Sequence, residues 1–363
     1  MMSIIQNLIV CQKCSNHWVM NSFKTTHFPI VNDFLRLVGK RSFRTSSRHF
    51  RLPRKRMKSS PEFVETQSPI IPSAGDVGTP RLWKPVLFTA AFGSASVSAA
   101  AIWQYENIRA RHKSFQEKVE SPFQYFNNWN QPAEKRIPLR EEMHKFWKRL
   151  TEAEKIFAPI CFANALVYLA WKVPSWQTTM FKYFCTNAAS KALCWPMLLS
   201  TFSHYMLLHL GANMYVLHSF SHGTVASLGK EQFTAMYLTG GVVASLASII
   251  TSVGMGVGRH SLGASGAVMA VIGYSCMAYP TSQVSVIFVP NYSVNAETAL
   301  KALMAVDLAG LIFRWRFFDH AAHLGGALFG VMWYFYGRKY IWGNREYVVR
   351  PWHELRTSGG KNF

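Results

Sequence analysis

From residue 83 to residue 336 the chain alternates long uncharged apolar runs with short polar breaks. The runs fall at 83–104, 156–173, 201–220, 233–252, 263–279, 299–313 and 317–336. Most approach the roughly 20 residues a helix needs to cross about 30 Å of hydrocarbon. Inside a bilayer the backbone must satisfy its own polar groups, which favours helices. The pattern therefore predicts an all-α membrane protein: one helix, a charged connector, then six more. The run at 299–313 is the shortest and carries Asp307. The acidic residues after Glu154 are Glu231, Glu297, Asp307, Asp319, Glu346 and Glu354, each isolated. So few carboxylates cannot make a charged soluble surface. They suit a bundle whose outside faces lipid.

The breaks have distinct characters. Residues 59–82 read as a flexible linker rich in Pro, Ser and Gly. Residues 105–155 are charged and predict a soluble helical connector, whose end can lie along the membrane with Phe146 and Trp147 towards lipid. The 174–200 loop holds Trp176, Phe181, Tyr183, Phe184 and Trp195, as an interfacial segment does. Residues 280–296, with Pro280, Pro290 and Asn291, predict a loop, and 337–363 a basic tail.

Charge changes the picture at the front. The net charge is +21, which raises a nucleic-acid partner. Residues 1–60, however, hold twelve Lys and Arg against Asp33 alone and are rich in Ser, Thr and Asn. A basic, hydroxyl-rich, acid-poor leader is the signature of an organelle transit peptide, assigned here to 1–58. The expected partner is therefore a lipid bilayer and no nucleic acid. Among six cysteines, Cys11 and Cys14 form a C-x-x-C with no second pair at a zinc-like spacing. Cys161, Cys194 and Cys276 lie in or beside apolar runs. Neither a disulfide framework nor a metal site is expected.

Three groups carry candidate chemistry. Gly263-Ala264-Ser265-Gly266 opens an apolar helix and puts Ser265 in its first turn. A helix N-terminus offers unpaired N–H groups and a positive dipole end, suited to an oxyanion. Small neighbours let another backbone approach; a plain packing motif is the competing reading. Asp319-His320-Ala-Ala-His323-Leu-Gly-Gly opens the last run. A histidine within reach of Ser265 would make that serine nucleophilic. Gly326 and Gly330 would pack on the small face of Gly266, Ala270 and Gly273 if the two helices run parallel. The run at 299–313 supplies the even number of crossings this requires. Third, His209 and Asn213 share one helix face in a run rich in histidine. They would donate to an oxyanion or bond across to another helix.

The order of these three groups resembles the rhomboid family: an HxxxN span, a GxSG-opened span, then an AHLGG-opened final span. The resemblance covers about 156–336. It implies a six-helix protease core with one additional N-terminal transmembrane helix, a 1+6 arrangement also found in the family's mitochondrial members. It implies a serine endopeptidase of the mitochondrial inner membrane that cleaves single-pass transmembrane proteins and needs no cofactor. Ser265 would be the nucleophile, His323 its base, and His209 and Asn213 oxyanion donors. Two departures stand out. Many bacterial members carry a tyrosine four residues after the serine, where it stacks on the histidine; here Met269 occupies that place. No Trp-Arg pair of the bacterial type stands in the 174–200 loop.

A rhomboid fold that only binds and escorts membrane proteins is the alternative function, but such proteins usually lack the serine or the histidine. A metal or haem site built from His204, His209, His218, His222, His320 and His323 is a further rival, although H-E-x-x-H is absent. Asp319 reads as an interfacial charge or helix start, and Asp307 as a helix–helix contact or part of a water path. His218 and His222 read as interfacial hydrogen-bonding groups.

Overall fold

The computed structural model describes residues 9–11, 82–120, 138–286 and 293–358. The chain divides into two compact units, residues 15–73 and the remainder. The first unit lies outside the described residues. So do the expected leader and linker, except for 9–11 and Leu82.

The described chain is a helical membrane protein. Its helices are α1 (Trp83–Glu120), α2 (Pro138–Arg149), α3 (Glu152–Ala170), α4 (Gln177–Tyr183), α5 (Cys194–Leu199), α6 (Leu207–Leu228) and α7 (Lys230–Gly254). They continue as α8 (Ser265–Ala278), α9 (Ala296–Ile312), α10 (His320–Met332) and α11 (Glu346–Ser358). A π-helical stretch, Trp333–Trp342, extends α10. Among the described residues, three helical segments are long and apolar enough to cross a membrane: Trp83–Val119, Glu152–Ala170 and Lys230–Gly254. Ser265–Ala278 is a shorter apolar helix. Phe162, Leu166, Leu169, Leu208, Ile312 and Phe317 are exposed. A bilayer is the solvent that such a surface fits.

Boundaries differ from the expectations where local or tertiary bonds decide them. The first helix does not stop at 104. The stretch 105–120 holds neither Pro nor Gly, so the helix continues although its composition turns polar. Its 38 residues reach roughly 57 Å at about 1.5 Å per residue, well beyond one hydrocarbon core. The tail is likewise helical in part. Trp352 Nε1 and Arg356 donate to Glu106 at 2.8–3.0 Å, tying α11 to the polar half of α1.

The helix expected from 201 begins at Leu207. Ser200–Phe202 is a 3₁₀ turn, and Ser203 is extended. Trp171 Nε1 donates to Ser203 Oγ at 2.7 Å, holding this strand-like approach. The expected loop at 280–296 contains two strands, β2 (Gln283–Val286) and β3 (Ser293–Asn295). They pair antiparallel, and β1 (Ile9–Cys11) adds to the free edge of β2.

Helix α8 is the axis of the core. Every residue from Gly266 to Cys276 is buried. Helices α6, α7, α9 and α10 surround it, with α10 packed most closely. A side chain at Gly326 would strike the carbonyl oxygen of Gly266, and one at Gly330 that of Ala270. The matching order of these pairs shows that α8 and α10 run parallel, as the sequence predicted. Gly326→Val is therefore expected to destabilise the fold by at least about 1–3 kcal/mol. Gly211→Ala has open space at the new methyl and should be tolerated. Thermal unfolding of both variants in detergent tests the contrast.

Candidate active site

The parallel packing of α8 and α10 brings their first turns together. Ser265 is the first residue of α8, and His323 lies one turn into α10. Ser265 Oγ stands 2.9 Å from His323 Nε2. Asp319 caps α10 by accepting from Ala322 N at 3.0 Å and also accepts a hydrogen bond from Ser248 of α7. It thus sets the start of the helix that carries His323, in line with its reading as a helix start.

The other ring nitrogen of His323 faces a carboxylate. His323 Nδ1 is 3.3 Å from Asp307 Oδ1, and His320 Nδ1 is 2.8 Å from the same oxygen. Asp307 is fully buried, and His320 and His323 are almost so. A carboxylate oxygen accepts, so each imidazole places its Nδ1–H there. That tautomer leaves the Nε2 lone pair of His323 directed at the Ser265 hydroxyl. The sequence located Asp307 as an oddity in a span but gave it no cation. The i, i+3 spacing of His320 and His323 was the signal available, since it puts both rings on one face.

Phe318 lies almost parallel to the His323 ring, 6.3 Å between centroids and 19° between planes. It holds the imidazole from one side, while Met269 is buried in the core. Stacking is thus supplied by the residue just ahead of α10, a source the sequence did not reveal.

The approach to Ser265 is fixed by backbone conformation. Gly263 has φ +133, a region L side chains rarely adopt, and a Cβ there would lie 2.8 Å from His209 Cε1. Its N–H donates to Ser200 O at 3.0 Å. His204, wholly buried, accepts from Ala264 N at 3.2 Å through Nε2. This histidine, seen in the sequence only as a possible metal ligand, pins the turn that presents Ser265. Gly263→Ala is expected to cost about 1–3 kcal/mol from backbone strain and to displace His209. Unfolding midpoints and activity, measured together, check this.

No side chain caps α8. The N–H groups of Ser265, Gly266 and Ala267 are therefore free of intrahelical acceptors and point out of the helix start. His209, Gly263, Ser265 and His323 line one cavity of about 600 Å³, which also reaches Ser248, Thr251 and Ser252 of α7. Arg259 closes its rim by donating to the carbonyls of Arg316 and Phe318 at 3.2 Å. Asn213 is wholly buried and is not in this lining. Its Nδ2 donates to His209 O at 2.8 Å, within its own helix. The site thus gathers Ser265, His323 and His209 on one wall, with Asn213 a turn behind His209.

A sequence family described as Rhomboid domain matches residues 191–340. The chain is 43% identical over 282 residues to the mitochondrial presenilin-associated rhomboid-like protein of Homo sapiens, covering 77% of this chain and 73% of the relative. The Mus musculus protein of that name matches over the same shares at 43% identity. The mitochondrial Rhomboid protein 1 of Saccharomyces cerevisiae is 30% identical over 210 residues, covering 57% of this chain and 60% of the relative. The family match at residues 191–340 spans His209, Ser265, Asp307 and His323. This chain therefore belongs to the rhomboid family, as a mitochondrial, multi-pass membrane protein.

Proposed function

We propose that this protein is an intramembrane serine endopeptidase of the mitochondrial inner membrane, with a 1+6 arrangement of spans, that cleaves single-pass membrane proteins. One observation carries the reading: Ser265 Oγ lies 2.9 Å from His323 Nε2 at an uncapped helix start inside a cavity. His323 takes the Ser265 proton as the serine attacks a peptide carbonyl carbon. The oxyanion is received by the backbone N–H groups that open α8 and by His209. Asn213 joins these donors through the second N–H of its amide, the first being donated to the His209 carbonyl. His323 then protonates the leaving amine, and water, activated by the same imidazole, hydrolyses the acyl-enzyme.

Asp307 is a positioning residue in this scheme. It keeps the Nδ1–H of His323 in place and supports the imidazolium that forms. The substrate must present an extended segment, because a helix hides its own amides. Segments with Gly, Pro or small residues near the scissile bond unwind most readily. Residues 1–58 would act as the import leader.

The test is covalent. A fluorophosphonate probe should label the purified protein once, at Ser265, as mapped by peptide mass spectrometry. The same preparation should cleave a fluorogenic single-span substrate with or without a chelator. An unlabelled, inactive yet folded protein would favour the non-proteolytic escort function instead.

A further inference from the structure

Glu154, His218 and His222 form a second chemical cluster, away from the cavity. His218 and His222 lie one turn apart on α6, and their rings meet edge to face with centroids 5.0 Å apart. Glu154 comes from the first turn of α3, which packs along α6. One ligand atom from each residue lies within 4.8 Å of the other two. Ligands around a tetrahedral zinc ion stand roughly 3.4 Å apart, from bond lengths near 2.1 Å. Small side-chain rotations close that gap.

The two better-fixed ligands are already oriented. His222 Nδ1 is 3.2 Å from His218 O. An Nδ1–H donated to that carbonyl leaves the Nε2 lone pair for a metal, the arrangement that commonly orients metal-bound histidines. Glu154 Oε2 accepts from Thr151 N at 2.7 Å and from Thr151 Oγ at 2.9 Å. These bonds hold the side chain and leave Oε1 for a ligand. His218 is exposed and packs edge to face on Phe157, one turn after Glu154. Water reaches this end of the bundle, where Glu152 pairs with Lys155 and Lys230 at 2.6–2.8 Å.

We propose that Glu154, His218 and His222 bind one divalent transition-metal ion, zinc by ligand type, which ties α3 to α6. Two imidazoles and a carboxylate leave a fourth position for water or a neighbouring group. The site lies roughly 14–20 Å along α6 from His209, at about 1.5 Å per residue, so it has no part in the chemistry at Ser265. It fixes instead the helix on which His209 is mounted.

The experiment uses the full chain in detergent, stripped of metal with a chelator and then dialysed free of it. Zinc is titrated by calorimetry, and the thermal midpoint is read with and without zinc. Wild type should bind one zinc ion per chain and unfold several degrees higher with it. His218→Ala and His222→Ala should each weaken binding by about 100-fold and remove the thermal shift. Glu154→Gln keeps a capping-box residue at that position. It should therefore preserve the metal-free midpoint and weaken binding by about 10-fold. Cobalt should give the visible bands of a tetrahedral complex in wild type and none in His218→Ala. The proposal is overturned if wild type binds no zinc, or if the variants bind and stabilise as wild type does. Adjacent helix-bound histidines with no ligand would then be the correct description.

Discussion

Ser265→Ala is expected to lower cleavage of a single-span substrate by at least about 1,000-fold, and His323→Ala by a similar factor. Both changes remove one partner of the same 2.9 Å contact, so either one disables proton transfer and attack together. The double variant should be no slower than either single one, because residues acting as a unit lose their effect once. Stability separates loss of chemistry from loss of fold. Ser265 is only partly buried at a helix start, so its alanine variant should unfold near the wild-type midpoint. His323 is buried, and its alanine variant leaves a small void beside Phe318 and frees a share of Asp307. A modest fall in midpoint is expected there. Cleavage by the Ser265→Ala protein at the wild-type rate would remove Ser265 from the mechanism.

Asp307→Asn is expected to reduce turnover by about 100-fold while leaving KM nearly unchanged. The side chain keeps its shape, but an amide presents an NH₂ group as well as a carbonyl. Where the NH₂ faces His323, that ring must turn its Nδ1 lone pair towards it and carry its proton on Nε2. An Nε2–H cannot accept the Ser265 proton. In the opposite orientation the Asn carbonyl can accept from both imidazoles, which share Oδ1 at 2.8 and 3.3 Å, but it carries no negative charge to stabilise the imidazolium, so turnover falls there too. Asp307 does not line the cavity, so substrate binding has little reason to change. Fluorophosphonate labelling should slow in parallel with turnover. Asp307→Glu, which restores the charge with a longer reach, should recover part of the rate. Equal labelling by wild type and Asp307→Asn would reduce Asp307 to a packing residue. Within this site, Asp319 and Asp307 have different partners. Asp319 is nearer to His323 in sequence, yet its oxygens are taken by Ala322 N and Ser248.

Much of the architecture was legible because a bilayer imposes strong rules. Uncharged runs near the right length marked helices, and the observed ones overlap each predicted run. The small faces of Gly266, Ala270 and Gly273 and of Gly326 and Gly330 predicted close, parallel contact, since only missing side chains let two backbones approach so nearly. Element ends were less legible. At 105–120 a composition change looked like a boundary, but nothing in those residues breaks helical hydrogen bonding. At 201–206 an apolar pattern looked helical, but bonds donated by Trp171 to Ser203 and by Ala264 N to His204 hold another conformation. The cluster of Glu154 with His218 and His222 could not be read either, because its members come from two helices far apart in sequence.

The sequence by itself determined which apolar runs contain helices, that they belong in lipid, and which serine and histidine stand at helix starts. Those properties are local: hydropathy, helix breakers and caps act within a few residues. The tertiary structure alone decided that Asp307 rather than Asp319 faces His323, that Phe318 stacks on it, and that His204 fixes the turn before Ser265. Each of these depends on the distance between side chains on different elements. Such distances follow from how whole helices pack and rotate against one another, and no window of sequence carries them.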